Sequence, residues 1–358
     1  MCIMSCCHLV SLIGFIAAAQ LCAADHVAYV SLAGENRIQT YRFNDDSGDL
    51  KYLDNVVTPG APGSLYPHPS KKILYAGLRE TGELASFKVD AQNGSLSLLN
   101  TVPVEVDPAY IRTDSSGKFL FSAYYVTGKT AVHPLAEDGS ISSDTVQWFS
   151  TDKNAHAIVP DPSERYFFVP HTGPNAIFQF EWNSMAGKLT PNNPKRMFTP
   201  VQSGPRHIVF HRTNGLAYVD NEQGSSVTSF ILNSVYGTLE AVQTLSTLPS
   251  GFKRSNTCAD LELSPSGKFL YASNRGHDSI AGFAVNADNG ELTRIGIFPT
   301  EETPRQFNIS PSGKWMVVAG QKSGNAATYR IDSDTGVLTH TDTTVLGKQP
   351  WWILINSH

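Results

Sequence analysis

The chain has 358 residues, of which 41% are hydrophobic, and 27 Lys and Arg against 32 Asp and Glu give it a net charge of −5. This hydrophobic fraction is enough for a large core, and a closed array of repeats can form one domain of this length. The charge, and the lack of a basic run interleaved with aromatic residues, argue against nucleic-acid binding. No zinc-type spacing, Walker loop or dinucleotide fingerprint occurs, so we expect no metal and no cofactor.

Residues 1–24 differ in composition from the rest of the chain. They contain no charged side chain, and an apolar run from Leu9 to Ala19 precedes the first acidic residue, Asp25. Such a segment is typical of a secretory signal peptide and is too short for a membrane span. We therefore predict cleavage near Ala24, a periplasmic location and no membrane insertion of the mature chain. Four of the five cysteines lie in this segment, so only Cys258 remains and no disulfide framework is expected.

A short turn signal recurs along the remaining chain: Gly, any residue, then Leu or Ile. Its seven copies begin at Gly48, Gly94, Gly139, Gly187, Gly237, Gly290 and Gly336. A period of roughly 50 residues with turn residues and short apolar runs is typical of the blades of a propeller.

A second signal repeats out of phase with the first, as an apolar run, a Pro/Ser/Gly turn and an aromatic-rich run. Its clearest copies are 261–271 and 307–317, and weaker copies surround Pro69, Ser116, Pro162 and Thr213. Each copy predicts a β-hairpin, and two hairpins per repeat make four strands. The predicted fold is therefore all-β, a seven-bladed β-propeller of four-stranded antiparallel blades that spans residues 25–358 as a single domain.

The ends of the chain predict how the ring closes. The repeats begin at Pro62, Pro108, Ala155, Pro205, Cys258, Pro304 and Pro350. The last repeat holds one strand, 351–355, and the three strands that it lacks are found at the other end of the chain, from Val27 to about Val57. We predict that the C-terminal strand pairs into the N-terminal blade, which removes the open sheet edges.

Hairpin geometry places the start of the first strand and the end of the second strand of each blade at the same mouth of the ring. The residues just after each repeat start are Gly63, Ala109, His156, Arg206, Ala259, Arg305 and Trp351. Those at the end of the second strand are Arg79, Tyr125, Thr172, Glu222, Arg275 and Gln321, with Ala33 from the N-terminal blade. Polar residues cluster on consecutive blades, His207 and Asp260 adjoin them, and small residues such as Gly63 leave room for a cavity.

An imidazole, a carboxylate and several guanidinium groups at one concave centre are what hydrolysis of an anionic ester needs. Glu222 or His156 can take a proton from water, and the sequence does not distinguish them. Arg206 and Arg275 can stabilise an oxyanion. The structural alternative is that each of these side chains is a solvated or salt-bridged residue of a polar propeller mouth. Cys258, at a repeat start, is interpreted as a small buried residue rather than a nucleophile.

The segments 204–211, 218–222, 259–275, 303–308 and 319–323 together carry a family resemblance. Because of these segments, residues 26–358 resemble the seven-bladed propeller lactonases typified by bacterial 6-phosphogluconolactonase. These lactonases are related to a fungal carboxymuconate-lactonising enzyme. The resemblance implies hydrolysis without a metal. The catalytic residues that it implies are His156, Arg206, Glu222 and Arg275. The predicted substrate-binding residues are Arg305, Gln321, His207 and Asp260.

The predicted activity is hydrolysis of a sugar-acid lactone to the aldonic acid. The small-molecule substrate is expected to be glucono-1,5-lactone, because export separates the chain from a phosphorylated metabolite, and 6-phosphogluconolactone stays open as the second candidate substrate. Two alternatives stay open: a muconate-type lactonising or isomerising enzyme, and a propeller that binds a ligand without catalysis. The sequence makes no prediction of the oligomeric state.

Overall fold

A computed structural model of the chain describes residues 25–145 and 147–356. Within these ranges the regular structure is β-strand apart from one 3₁₀ helix, Ala33–Glu35. No helix in the described part of the chain is long and apolar enough to cross a membrane. The predicted signal peptide, 1–24, lies outside the described residues and stays a prediction.

The strands of the described ranges group into seven antiparallel sheets of four. The first blade contains β1 (Asp25–Leu32), β2 (Arg37–Asn44) and β3 (Leu50–Val57). Blades 2 to 4 contain, four strands each, β4 (Pro62–Pro67), β5 (Ile73–Leu78), β6 (Glu83–Val89), β7 (Leu96–Pro103), β8 (Pro108–Thr113), β9 (Phe119–Tyr124), β10 (Lys129–Pro134), β11 (Gln147–Ser150), β12 (Val159–Pro160), β13 (Tyr166–His171), β14 (Ala176–Asn183) and β15 (Lys188–Phe198). Blades 5 to 7 contain β16 (Pro205–Phe210), β17 (Leu216–Asn221), β18 (Ser226–Asn233), β19 (Thr238–Ser246), β20 (Thr257–Leu263), β21 (Phe269–Arg275), β22 (Ser279–Val285), β23 (Leu292–Pro299), β24 (Pro304–Ile309), β25 (Trp315–Gly320), β26 (Asn325–Ile331) and β27 (Leu338–Val345).

The ring closes as predicted. The last strand, β28 (Pro350–Asn356), pairs antiparallel with β1 and is the innermost strand of blade 1. The register runs from Val27 opposite Asn356 to Leu32 opposite Pro350. Both ends of the described chain therefore lie in one sheet, and the predicted seven-bladed all-β architecture is confirmed.

The repeated glycines sit where neighbouring blades touch. All seven occupy the left-handed region, with φ between 62° and 82°, at the turn between the third and fourth strand of a blade. A Cβ on Gly94 of blade 2 would lie 2.6 Å from the Val27 side chain of blade 1. The Tyr29 hydroxyl of blade 1 donates to the Gly94 carbonyl at 2.9 Å. The turn thus requires glycine both for its backbone conformation and for its close approach to the next blade.

The hydrophobic core lies mainly between adjacent blades. One cluster joins Val30 and Ile353 of blade 1 to Trp315 and Val317 of blade 7, which packs the closing blade against its neighbour. Burial of this kind is repeated around the ring, so the seven sheets form one unit.

The innermost strands β4, β8, β16, β20 and β24 share an irregular start. In each of them the register with the second strand shifts within three residues of the repeat start. A bulge of this kind redirects the side chains that follow it. Blade 4 is the exception, because its inner strand β12 has two residues and Ala155 makes only an isolated bridge to His171.

Candidate active site

The bulge in β16 brings two consecutive side chains to the channel. In a regular strand, Arg206 and His207 would point to opposite faces. Here the register shifts between Pro205 and Ile208, and Arg206 Nη1 lies 3.3 Å from His207 Nε2. Both side chains are buried.

Glu222 lies between two guanidinium groups. Its Oε2 is 3.1 Å from Arg206 Nε, and its Oε1 is 3.2 Å from Arg275 Nη2. Arg275 also donates from Nη2 to the carbonyl of Cys258 at 3.1 Å. The Glu222 and Arg275 side chains remain about one-sixth exposed, so the group is accessible from one side. The carboxylate holds both cations in place and leaves part of each guanidinium group for a ligand.

His156 lies beside this ion-pair group, in the irregular segment that precedes β12. Its ring centroid is 5.1 Å from that of His207 and 5.6 Å from that of Tyr125. Burial, and after it the charge of Arg206, lowers the pKa of His156 well below its usual value. Its Nδ1 is buried without a hydrogen-bond partner in the described structure. His156 is therefore a neutral imidazole that can accept a hydrogen bond from a ligand.

The predicted pair His207 and Asp260 lies one layer deeper in the channel. His207 Nδ1 donates to Asp260 Oδ1 at 2.8 Å, and Asp260 Oδ2 accepts from the Phe307 backbone N–H at 3.1 Å. The His207 backbone N–H donates to Asp220 Oδ1 at 2.7 Å. These bonds tie blades 5, 6 and 7 together behind the ion-pair group.

Arg305 contacts Gln321 and Trp351, and Arg79 contacts the same Trp351 ring. Arg305 Nη1 lies 3.5 Å from Gln321 Oε1. The Trp351 ring packs against two cations, with Arg305 Cζ 3.7 Å and Arg79 Cζ 4.6 Å from its centroid. Asp107 forms an ion pair with Arg79, whereas Arg305 has no carboxylate at ion-pairing distance in the described ranges.

Two different cavities adjoin this region. We call the end of the channel formed by His156, Arg206, Glu222, Arg275 and Arg305 the charged mouth. A cavity of about 10 Å³ lies beside it, lined by His156, Arg206 and Arg305 among others. The room expected near Gly63 is taken by Arg79, whose side chain lies 2.8 Å from where a Cβ would be.

A cavity of about 420 Å³, which we call the rear cavity, lies on the other side of the His207 layer. It is lined by residues near the far ends of the inner strands, such as Arg112 and Phe210, and it shares His207, Gln306 and Trp352 with the small cavity. Because all inner strands run in the same direction through the channel, the two cavities belong to opposite ends.

Cys258 is fully buried, with Thr247 Oγ1 3.4 Å from its sulfur. Burial raises the pKa of its thiol to about 12. A thiol in this state is not a nucleophile at neutral pH, which fits the interpretation as a small core residue. Among residues 25–145 and 147–356, no group of three His, Cys, Asp or Glu side chains is placed to hold a metal ion.

The fold and the charged mouth define a closed seven-bladed propeller with an imidazole, a carboxylate and several guanidinium groups at one end of its channel. The family profile "Lactonase, 7-bladed beta-propeller" matches residues 26–355. The chain belongs to this family and is a lactone-hydrolysing enzyme.

Relatives and solved structures agree with this family. A 6-phosphogluconolactonase of Enterobacter sp. (strain 638) is 33% identical over 92% of this chain and 98% of its own length. A 6-phosphogluconolactonase of Serratia proteamaculans is 33% identical over 79% of this chain and 84% of its own length. The structure of the periplasmic gluconolactonase PpgL of Pseudomonas aeruginosa superposes with a TM-score of 0.86 at 26% identity, over 93% of this chain and 99% of PpgL.

Proposed function

We propose that this chain is an exported aldonolactonase that hydrolyses glucono-1,5-lactone to gluconate in the periplasm. The observation that carries the proposal is the charged mouth, where Glu222 holds the guanidinium groups of Arg206 and Arg275 next to the uncharged ring of His156. The similarity to PpgL, a periplasmic gluconolactonase, supports both the substrate and the location.

In this proposal His156 is the general base. Its buried Nδ1 has no partner in the described residues and can accept a proton from the attacking water. The water oxygen bonds to the lactone carbonyl carbon, and the carbonyl oxygen gains negative charge that Arg206 and Arg275 stabilise. The ring C–O bond then breaks, and the leaving alkoxide takes the proton from the imidazolium. The products are the free acid and a regenerated enzyme.

Glu222 acts in this scheme through the two cations. With both of its oxygens at ion-pairing distance from Arg206 and Arg275, it fixes the direction in which their remaining N–H groups point. Buried guanidinium groups without such an anchor would pay a desolvation cost and adopt other rotamers. Arg305, which has no carboxylate partner in the described structure, is the proposed substrate contact next to Gln321.

The substrate is tested by measuring acid release in a pH-stat with glucono-1,5-lactone and 6-phosphogluconolactone, each corrected for spontaneous hydrolysis. We expect acceleration of the unphosphorylated lactone, with a larger kcat/KM than for the phosphorylated one. A preference for the phosphorylated lactone would overturn the proposed substrate. A thermal shift with gluconate but no turnover of either lactone would replace the enzyme by a ligand-binding propeller.

The location is tested separately by expressing the full-length chain in a Gram-negative host and assaying periplasmic and cytoplasmic fractions. We expect the mature protein in the periplasmic fraction, with an N-terminus near Asp25. A full-length protein that stays in the cytoplasm would contradict the proposed export while leaving the lactonase activity untouched.

A further inference from the structure

The rear cavity is closed at its inner end by three aromatic rings. Tyr110, His207 and Trp352 pack against one another, with centroid distances of 5.6 Å, 5.9 Å and 6.2 Å. These rings separate the cavity from the charged mouth. A ligand in the 420 Å³ rear cavity would therefore lie on the opposite side of these rings from the charged mouth and would not occupy the lactonase site.

Arg112 lines the rear cavity, and its guanidinium group has a hydrogen bond with the Tyr110 side chain. Its Nε is buried without a hydrogen-bond partner in the described structure, and no carboxylate lies at ion-pairing distance within the described ranges. Its Cζ lies 5.3 Å from the centroid of the Tyr66 ring, which orients the guanidinium plane. Arg112 also lines an adjoining cavity of about 240 Å³, so it is reached from both spaces. Glu164, which lines both spaces, attracts this cation without forming an ion pair with it. A guanidinium group without an ion-paired carboxylate is matched by a carboxylate or a comparable planar anion.

The carboxyl groups at the wall of the cavity already have donors but retain free acceptor capacity. Glu262 accepts from Asn308 Nδ2 at 2.7 Å and from the Ile309 N–H at 2.8 Å. Asp260 accepts from His207 and from the Phe307 N–H. A carboxylate has about four lone-pair sites, so each of these groups can accept further hydrogen bonds from hydroxyl donors.

The acidic residues around the cavity repel an anion less than their number suggests. Burial, and after it the charge of Asp260, raises the pKa of Glu262 well above its usual range, so this carboxyl group is harder to ionise than an exposed one. At the rim, Asp161 accepts hydrogen bonds from the Ser163 side chain and the Tyr166 N–H. The rim also carries Glu164, which accepts a hydrogen bond from the Ser115 side chain, and the cation Arg212. Charge repulsion at the entrance is thus partly offset.

We propose that the rear cavity is a second ligand site that binds a polyhydroxy carboxylate, with the carboxylate on Arg112 and hydroxyl groups on Asp260 and Glu262. A molecule of this class supplies the planar anion that Arg112 lacks and the hydroxyl donors that the carboxyl groups can accept. The site is separate from the charged mouth and does not depend on the proposed reaction.

The test uses gluconate and glucitol, two probes of equal carbon number that differ in the carboxylate. Isothermal titration with the mature protein is expected to show saturable binding of gluconate and at least tenfold weaker binding of glucitol. Arg112→Met is expected to weaken the gluconate binding at this site at least tenfold. Arg112→Lys is expected to weaken it less, because it keeps the charge but loses the planar fork. Arg330→Met, at an exposed arginine of β26, is the matched control and should titrate like the wild type.

A variant at the charged mouth distinguishes the two sites. Arg305→Met removes a cation of the charged mouth and should leave the Arg112-dependent binding in place, whereas Arg112→Met should leave lactone turnover within about twofold of wild type. The proposal is overturned if Arg112→Met, shown to be folded by its melting temperature, titrates like the wild type. It is also overturned if glucitol binds as tightly as gluconate, or if Arg305→Met abolishes all binding. Absence of lactone turnover in the wild type would refute the proposed function and leave this inference standing.

Discussion

The two ends of the channel use charged residues in opposite ways. At the charged mouth, Glu222 lies at ion-pairing distance from two guanidinium groups, and the adjacent cavity measures only about 10 Å³. In the rear cavity the volume is about 420 Å³, and Arg112 stands without an ion-pair partner in the described structure. The first arrangement fixes groups in place, and the second leaves space around them.

This difference teaches which end is suited to chemistry. A transition state is stabilised by groups that are oriented before the reaction, since reorientation during the reaction would cost the free energy that catalysis requires. Mutual ion pairs provide that order at the charged mouth. A roomy cavity with an unpaired cation is suited to equilibrium binding of a ligand, because the ligand itself supplies the missing partner.

The largest expected effect comes from removing the charge that anchors the charged mouth. Glu222→Gln keeps the shape but loses the attraction to Arg206 and Arg275, so both oxyanion-stabilising groups lose their orientation. We expect kcat for the lactone to fall roughly 10²–10⁴-fold, as for the loss of a principal catalytic group. The same range is expected for His156→Ala. Glu181→Gln, at an exposed residue of β14, is the matched control. Unchanged rates in both active-site variants would remove their assigned roles.

The second effect is the pH dependence of turnover. A protonated imidazole cannot act as a base, and the pKa of His156 is lowered well below the usual value of 6.5. Activity should therefore persist as pH falls through 6.5 and decline about tenfold per pH unit only below the depressed pKa. The check is a profile of kcat/KM from about pH 4 to 7, corrected for spontaneous hydrolysis at each pH. Arg112→Met should give the same profile, and a midpoint at or above 6.5 would exclude His156 as the base.

A third, smaller effect is expected at Trp351, which contacts both Arg79 and Arg305. Trp351→Leu removes both cation–π contacts, which at a desolvated site are worth about 2 kcal/mol or more. Because Arg305 is the proposed substrate contact, we expect KM to rise about tenfold with little change in kcat. Trp351→Phe should lie between wild type and Leu. Trp148 lies in the outer strand β11, and its ring packs near Lys129 of β10. Trp148→Leu is therefore the control for loss of a cation–π contact away from the charged mouth. A fall in kcat at constant KM would assign Trp351 to the chemical step instead.

Much of this architecture could be predicted from the chain alone, because repeat spacing is a local signal. The repeated glycine turn signal located the turns between the third and fourth strands. There the left-handed backbone and the close packing on the next blade exclude other residues. The second repeated signal, which marks the first hairpin of each blade, placed His156, Arg206 and Glu222 at one mouth, where the structure brings them together.

Other features depend on packing that spacing does not encode. Trp351 and Arg79 come from opposite ends of the sequence, and their contact requires the closed ring together with specific rotamers. The short inner strand β12 was not expected, since the pattern treated Ala155 like any other repeat start. The sequence did not predict the rear cavity. Its volume depends on the rotamers of the channel side chains, such as Tyr110 and Trp352, whose rings pack against each other.

The smallest effect is expected at Cys258. Its backbone contacts the charged mouth, but its side chain has no catalytic role in this interpretation. Its side chain contacts Thr247, and it is the backbone carbonyl that accepts a hydrogen bond from Arg275. Cys258→Ala keeps that carbonyl and deletes only a small buried sulfur, so turnover should stay within about twofold, with a loss of stability of about 1 kcal/mol. Iodoacetamide should not inactivate the folded enzyme, because the thiolate is the reactive form and the pKa of this thiol is raised to about 12. Rapid inactivation that a substrate analogue prevents would instead place a reactive thiol at the charged mouth.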